Sequence, residues 1–224
     1  ELRKKQNSHQ KAVIPADFRT AFFAFVDTLN LSLMEDKDNF FGYFLFQMGK
    51  EIRFDLADAT GVNFKKTQYI LYFNPLIFLP LSKEQMESSI KHQILHVVSM
   101  HLVRAKELKN SYSRLAMNLA MDVVVNTYLE HLPPFSTTLE WVNMNYSLLL
   151  APFESFEYYV EKIQTALDLR TDNTDRPDDG NTKDETVSTS YQIGKTHDIW
   201  DESDMIDAQS LQKFTAKYID AAHK

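Results

Sequence analysis

Cysteine is absent from this chain of 224 residues, which excludes disulfides, thiolate metal sites and a cysteine nucleophile together. The same absence suits a cytoplasmic protein. Long apolar runs are missing too: no stretch spans a bilayer, and no leader-like apolar segment stands near the start. Positive charge is in short supply, with 24 Lys and Arg against 31 Asp and Glu and a formal net charge of −7. Broad binding to nucleic acid or to anionic lipid needs the opposite sign, so neither is expected. No internal repeat is present. The chain opens on Glu1 rather than Met, which leaves room for it to be a fragment.

What the chain does contain is large apolar side chains. Hydrophobic residues make up 44%, with 16 Phe and 10 Tyr, enough to bury the core of one domain. Residues 1–14, polar and basic, read as a flexible N-terminal arm, and 15–224 as the domain. Pro15 opens a helix with an apolar stripe of Phe18, Phe22, Phe25, Val26 and Leu29. The aromatic run from Asn39 to Phe46 reads as a second buried helix. Ile52, Phe54 and Leu56 alternate with charged residues as a short strand, and Thr60-Gly61 marks a turn. Gln68 to Phe73 is a second strand, closed by Asn74-Pro75. Residues 135–150 read as a loop anchored by Trp141, Leu148 and Leu149, before a helix through Phe156, Tyr159, Val160, Ile163 and Leu167. Residues 171–189 have the composition of a flexible acidic loop. Helical spacing returns through Leu211, Phe214, Tyr218 and Ile219. The fold class expected is mainly α with a small β-hairpin or sheet.

The chemistry concentrates in Lys91-His92-Gln93-Ile94-Leu95-His96. Ser82 and Gln85 form a capping box, and apolar spacing from Met86 carries the helix through to Leu102 and Val103. Histidines four apart on a helix lie about 40° from each other around the axis, close enough to reach one metal ion. Zinc peptidases use this geometry in H-E-x-x-H, with the glutamate as general base. Here that position holds Gln93. His101, nine residues past His92, falls about half a turn away and is not expected to join the pair.

A second informative run is Leu115 to Asn126. It is apolar except for Asn118, Asp122 and Asn126, which stand four apart as one polar stripe. Burying a carboxylate and two amides there is unfavourable by kilocalories unless each finds a partner. A metal held by two neutral histidines would suit Asp122; a purely structural polar network would also satisfy it.

Taken with Asn74-Pro75, Leu81-Ser82 and His101, the segments His92-x-x-x-His96 and Asn118-x-x-x-Asp122-x-x-x-Asn126 resemble a bacterial metallopeptidase-like domain that precedes a von Willebrand A-like domain. Ser155 to Tyr159 and His197-Asp198-Ile199-Trp200 resemble its weaker downstream signatures, so the likeness covers roughly residues 15 to 205. The resemblance implies a zincin-like architecture with His92 and His96 as metal ligands and Asp122 as the third. It also implies association with a MoxR-type AAA+ ATPase. The chain departs from the family pattern at Gln93, and no von Willebrand domain follows within residue 224.

The expected function is a zinc-binding, metallopeptidase-like domain acting on protein or peptide, with another divalent metal as a variant. It is expected to be hydrolytically inactive, as a natural pseudoenzyme or an engineered form. Glutamine keeps the shape of glutamate but accepts no proton at neutral pH, and a positioned base is worth about 100- to 10,000-fold in rate. Three protein ligands would leave a fourth position open, as in catalytic sites. His197 is a candidate for closing or lining that position. Two other readings stand beside this one: a metal-free protein-interaction module, and a 2-His-1-carboxylate iron site.

Overall fold

Hydrogen bonds at helix starts set most of the element boundaries. The computed structural model describes residues 14–35, 39–134, 136–173, 197–202 and 207–223. The expected N-terminal arm and acidic loop lie, apart from Ile14 and residues 171–173, outside the described residues. The elements in chain order are α1 (Ala16–Glu35), α2 (Asn39–Gln47), β1 (Gly49–Ile52), β2 (Thr60–Lys65), β3 (Gln68–Phe73) and α3 (Pro75–Phe78). They continue with α4 (Lys83–Val98), α5 (His101–Leu108), α6 (Arg114–Asn126), α7 (Leu139–Tyr146) and α8 (Phe156–Asn173). A short 3-10 turn (Asp198–Glu202) and α9 (Ala208–Ala222) close the chain.

The fold is mainly helical with one small sheet. Strand β3 is central, parallel to β1 and antiparallel to β2. Tyr69 to Phe73 are all buried, the continuous apolar pattern of a strand covered on both faces. Helix α1 covers it through Phe22, whose ring lies 5.6 Å from Phe73 and 6.2 Å from Phe78. Helix α6 packs on α8, and α9 on α2. The Ser82–Gln85 capping box opens α4 as expected, while Ser113 caps α6 and Asp207 caps α9. Among the described residues no helix is long and apolar enough to cross a membrane.

The structure corrects several expectations. Thr60-Gly61 is not a turn but the start of β2; the reversal comes at Lys66, with φ 58°, and joins β2 to β3. Phe54 and Leu56 lie beyond β1 rather than in it. The loop expected at 135–150 contains α7, capped where the Thr138 hydroxyl accepts the Trp141 amide. Leu149 anchors nothing, being 98% exposed, and Phe25 also faces solvent. The largest correction concerns α4. It does not run on to Val103 but stops at Val98, because Met100 adopts a left-handed φ of 56° and α5 restarts in a new direction.

Tyr69 ties β3 to α9: its hydroxyl and the Thr215 hydroxyl are 2.6 Å apart, and its amide donates to the Tyr218 hydroxyl. Burial pushes the Tyr69 phenol up to about 12, so the fold favours its neutral form. That contribution is whole below the unfolded value of 10.0 and is lost as pH rises through the folded value. The expected loss is about 2 kcal/mol between pH 10 and 12. Calorimetric melts across that window should therefore fall less steeply for Tyr69→Phe than for the parent chain.

Candidate metal centre

Helix α4 presents two different faces. Ser89 and Gln93, four apart, face the start of β2, where the hydroxyls of Ser89 and Thr60 lie 2.7 Å apart. His92 and His96, also four apart and rotated about 60° from those two, face α6. There they meet the polar stripe, whose members Asn118, Asp122 and Asn126 are all buried.

The two rings turn their Nε2 atoms towards each other, 2.8 Å apart. Asp122 Oδ1 lies 3.6 Å from His92 Nε2 and 3.4 Å from His96 Nε2. The ligand atoms of these three residues fall within 4.8 Å of one another. His197, at the head of the 3-10 turn, brings its Nε2 to 3.4 Å from that of His96 and 3.5 Å from Asp122 Oδ1. A tetrahedral zinc with bonds of 2.0–2.1 Å would set its ligand atoms about 3.3 Å apart. Five separations of 2.8 to 3.6 Å bracket that spacing.

The outer hydrogen bonds fix what these rings present. Asn126 Nδ2 donates to the Thr137 carbonyl at 2.7 Å, which leaves Asn126 Oδ1 as an acceptor. His92 Nδ1, 2.7 Å from that oxygen, must therefore carry the proton, and a neutral His92 turns its Nε2 lone pair inward. His96 Nδ1 has its partner in His101 Nδ1 at 2.9 Å. With that Nδ1 as donor, His96 also turns a lone pair inward. Burial holds the His96 and His101 imidazoles far below 6.5, and pushes His197 down to about 3 against the pull of Asp122.

The centre is thus a convergence of acceptors. Asp122 Oδ1 is buried and has no hydrogen-bond partner. An orphaned carboxylate oxygen facing imidazole nitrogens that bear lone pairs is the donor set a divalent cation satisfies. The residues present fit a metal.

Gln93, about 100° around the helix axis from His92 and about 60° from His96, is buried, with its amide nitrogen donating to the Thr60 carbonyl at 3.3 Å. Two neighbours escaped the reading of the sequence. His101 was not expected near the pair, and the break at Met100 brings it against His96. Nothing in the residue pattern signals that break. Asp58, just before β2, stands close enough for the charges of His92 and Asp122 to act on it. The protein around it raises its carboxyl above the usual range, opposed by the Ala59 amide and by His92.

His101 holds the proton position of His96 through a single bond, and such outer partners are worth about 10- to 100-fold in metal affinity. His101→Phe keeps an aromatic ring beside Phe156, 5.6 Å away, and removes the acceptor. Competition against a chromogenic chelator should show zinc affinity falling by about that factor. Unchanged affinity with a native circular dichroism spectrum would refute the role.

No curated protein and no solved structure matches the chain. A family model described as "Putative metallopeptidase domain" matches residues 29–210, a span that holds every residue of the centre. The chain belongs to this metallopeptidase-domain family.

Proposed function

We propose that this domain holds one zinc ion through His92, His96 and Asp122, with His197 as fourth ligand, and lacks ordinary hydrolytic competence. The observation that carries the metal is the partnerless Asp122 oxygen among imidazole nitrogens. Nitrogen and carboxylate donors at tetrahedral spacing favour zinc. When bound, the ion supplies Lewis acidity and holds three segments of the chain together.

Two features support the loss of hydrolysis. Gln93 accepts no proton at neutral pH, and its amide is engaged by the Thr60 carbonyl. His197 stands where a catalytic centre leaves an opening, so four protein ligands would give the closed set typical of structural zinc. A glutamate at 93 would set an acceptor against the Thr60 carbonyl, so this surrounding suits the amide. That supports Gln93 as a natural residue of a pseudoenzyme rather than an engineered change.

A protein or peptide partner, a MoxR-type AAA+ ATPase and a cytoplasmic setting belong to the same proposal. The alternative, a metal-free interaction module, draws on one observation: the Tyr128 and Phe153 rings meet edge to face, centroids 5.4 Å apart, with 63% and 65% of their surfaces exposed. Exposed aromatic pairs of this kind suit protein contacts.

Elemental analysis separates the two readings. Protein prepared without chelator should carry one zinc per chain, or take up one on addition. At a hundredfold excess over Kd the ion adds about 2.7 kcal/mol, a rise in thermal midpoint of roughly 5–10 °C for a chain of this size. Asp122→Asn should abolish the rise. Absence of zinc and of uptake would favour the interaction module.

Gln93→Glu should keep the zinc content while losing the donor to Thr60. Urea unfolding should then show a loss of about 1–2 kcal/mol. A variant as stable as the parent would contradict the role given to that bond.

A further inference from the structure

Of the four residues assigned to the metal, three stand on two core helices and the fourth does not. His92 and His96 belong to α4 and Asp122 to α6, whereas His197 enters from the head of the 3-10 turn. The His96 ring is hemmed in by the rings of His92, His101, His197 and Trp200, at centroid distances of 4.4 to 5.6 Å. His197 is buried too, but it has space beside it. Alone among the four, it lines a cavity of about 250 Å³ between α5 and α6, with Leu102, Ala105, Met117 and Met121.

That space decides what the ring can do. In a close-packed interior a buried side chain rarely has a second rotamer, because the alternatives collide with neighbours. At about 30 Å³ for each water-sized group, this cavity holds roughly eight non-hydrogen atoms, more than a histidine side chain contains. The backbone beside the ring is meanwhile held in place. Asn63 donates to the Ile199 carbonyl, and the Trp200 indole donates to the Val62 carbonyl.

We propose, resting on the metal reading above, that His197 is an exchangeable ligand whose ring turns from the metal into this cavity while a small oxygen anion, a carboxylate or hydroxamate, takes its place. The exchange is a ligand substitution: one metal–nitrogen bond breaks, one metal–oxygen bond forms, and His197 stays neutral. Zinc takes carboxylate oxygen as well as imidazole nitrogen, and three-ligand centres fill their fourth position from solution. The way in lies at His92, whose side chain keeps 15% of its surface exposed. With Gln93 in place of a base, the opened centre binds such an anion without cleaving a bond. The C-terminal carboxylate of a peptide belongs to this ligand class.

Cobalt(II) in place of zinc makes the coordination visible. The parent should take up one cobalt with the intense absorption of a four-coordinate ion. Acetohydroxamate should change that spectrum saturably, and neutral acetamide should not. His197→Ala removes the competing ring and should bind acetohydroxamate about tenfold more tightly. Ala105→Leu fills the cavity, leaves every ligand in place and should bind it about tenfold more weakly at unchanged cobalt content. Circular dichroism checks both folds, and the parent with Ala105→Leu decides the question even where His197→Ala does not fold. Failure to take up either cobalt or zinc would overturn the metal reading and this inference with it. Cobalt uptake without a saturable acetohydroxamate response in the parent would overturn the exchange alone. So would equal affinity in the parent and His197→Ala, or in the parent and Ala105→Leu.

Discussion

Buried acceptors that face one another must share a cation or a proton, and the centre of this molecule is built from such acceptors. His92 and His96 are each held at Nδ1 by an outside partner, so Nε2 is directed inward on both. Asp122 brings a buried oxygen with no donor of its own. Burial favours neutral imidazole on His96 and His197, so each ring keeps one nitrogen able to donate a lone pair to a cation. A protein that kept this group without a cation would carry a cost of kilocalories at its core.

The elements around the centre are arranged by that group. Helix α4 lies between β2 and α6, with Ser89 and Gln93 turned towards the strand and the histidine pair towards the helix. The left-handed Met100 ends α4 and returns His101 to His96. The 3-10 turn is fixed on three sides. Asn63 Nδ2 donates to the Ile199 carbonyl at 2.5 Å, and the Trp200 indole donates to the Val62 carbonyl at 2.8 Å. Arg114 holds Asp198 and Asp201. These bonds seat His197 against the centre and cover part of β2, one of the two edge strands of the sheet.

Local patterns were the legible part of the sequence. The capping box at Ser82, the four-residue spacing of His92 and His96, and the polar stripe through Asp122 each depend on neighbours within a turn or two, and each is present as read. The helices of the apolar stripes also formed, within a few residues. What escaped reading depends on distant contacts or on a single dihedral angle. Gly61 looked like a turn residue, yet it sits in a strand beside Leu56 and Ile199 side chains. Residues 139–146 looked like a loop because Asn143 and Asn145 interrupt the apolar pattern. Asn143 instead pairs with both the amide and the carbonyl of Leu150. His101 lay beyond the reach of helical geometry, since its place depends on the backbone at Met100. The site was therefore more legible than the scaffold that orients it.

X-ray absorption at the zinc edge, on protein purified without chelator, tests the central claim most directly. The account predicts four nitrogen or oxygen neighbours at about 2.0–2.1 Å, with the outer-shell scattering of three imidazole rings. A shell of six oxygens without imidazole scattering, or no zinc edge after incubation with the metal, would contradict it.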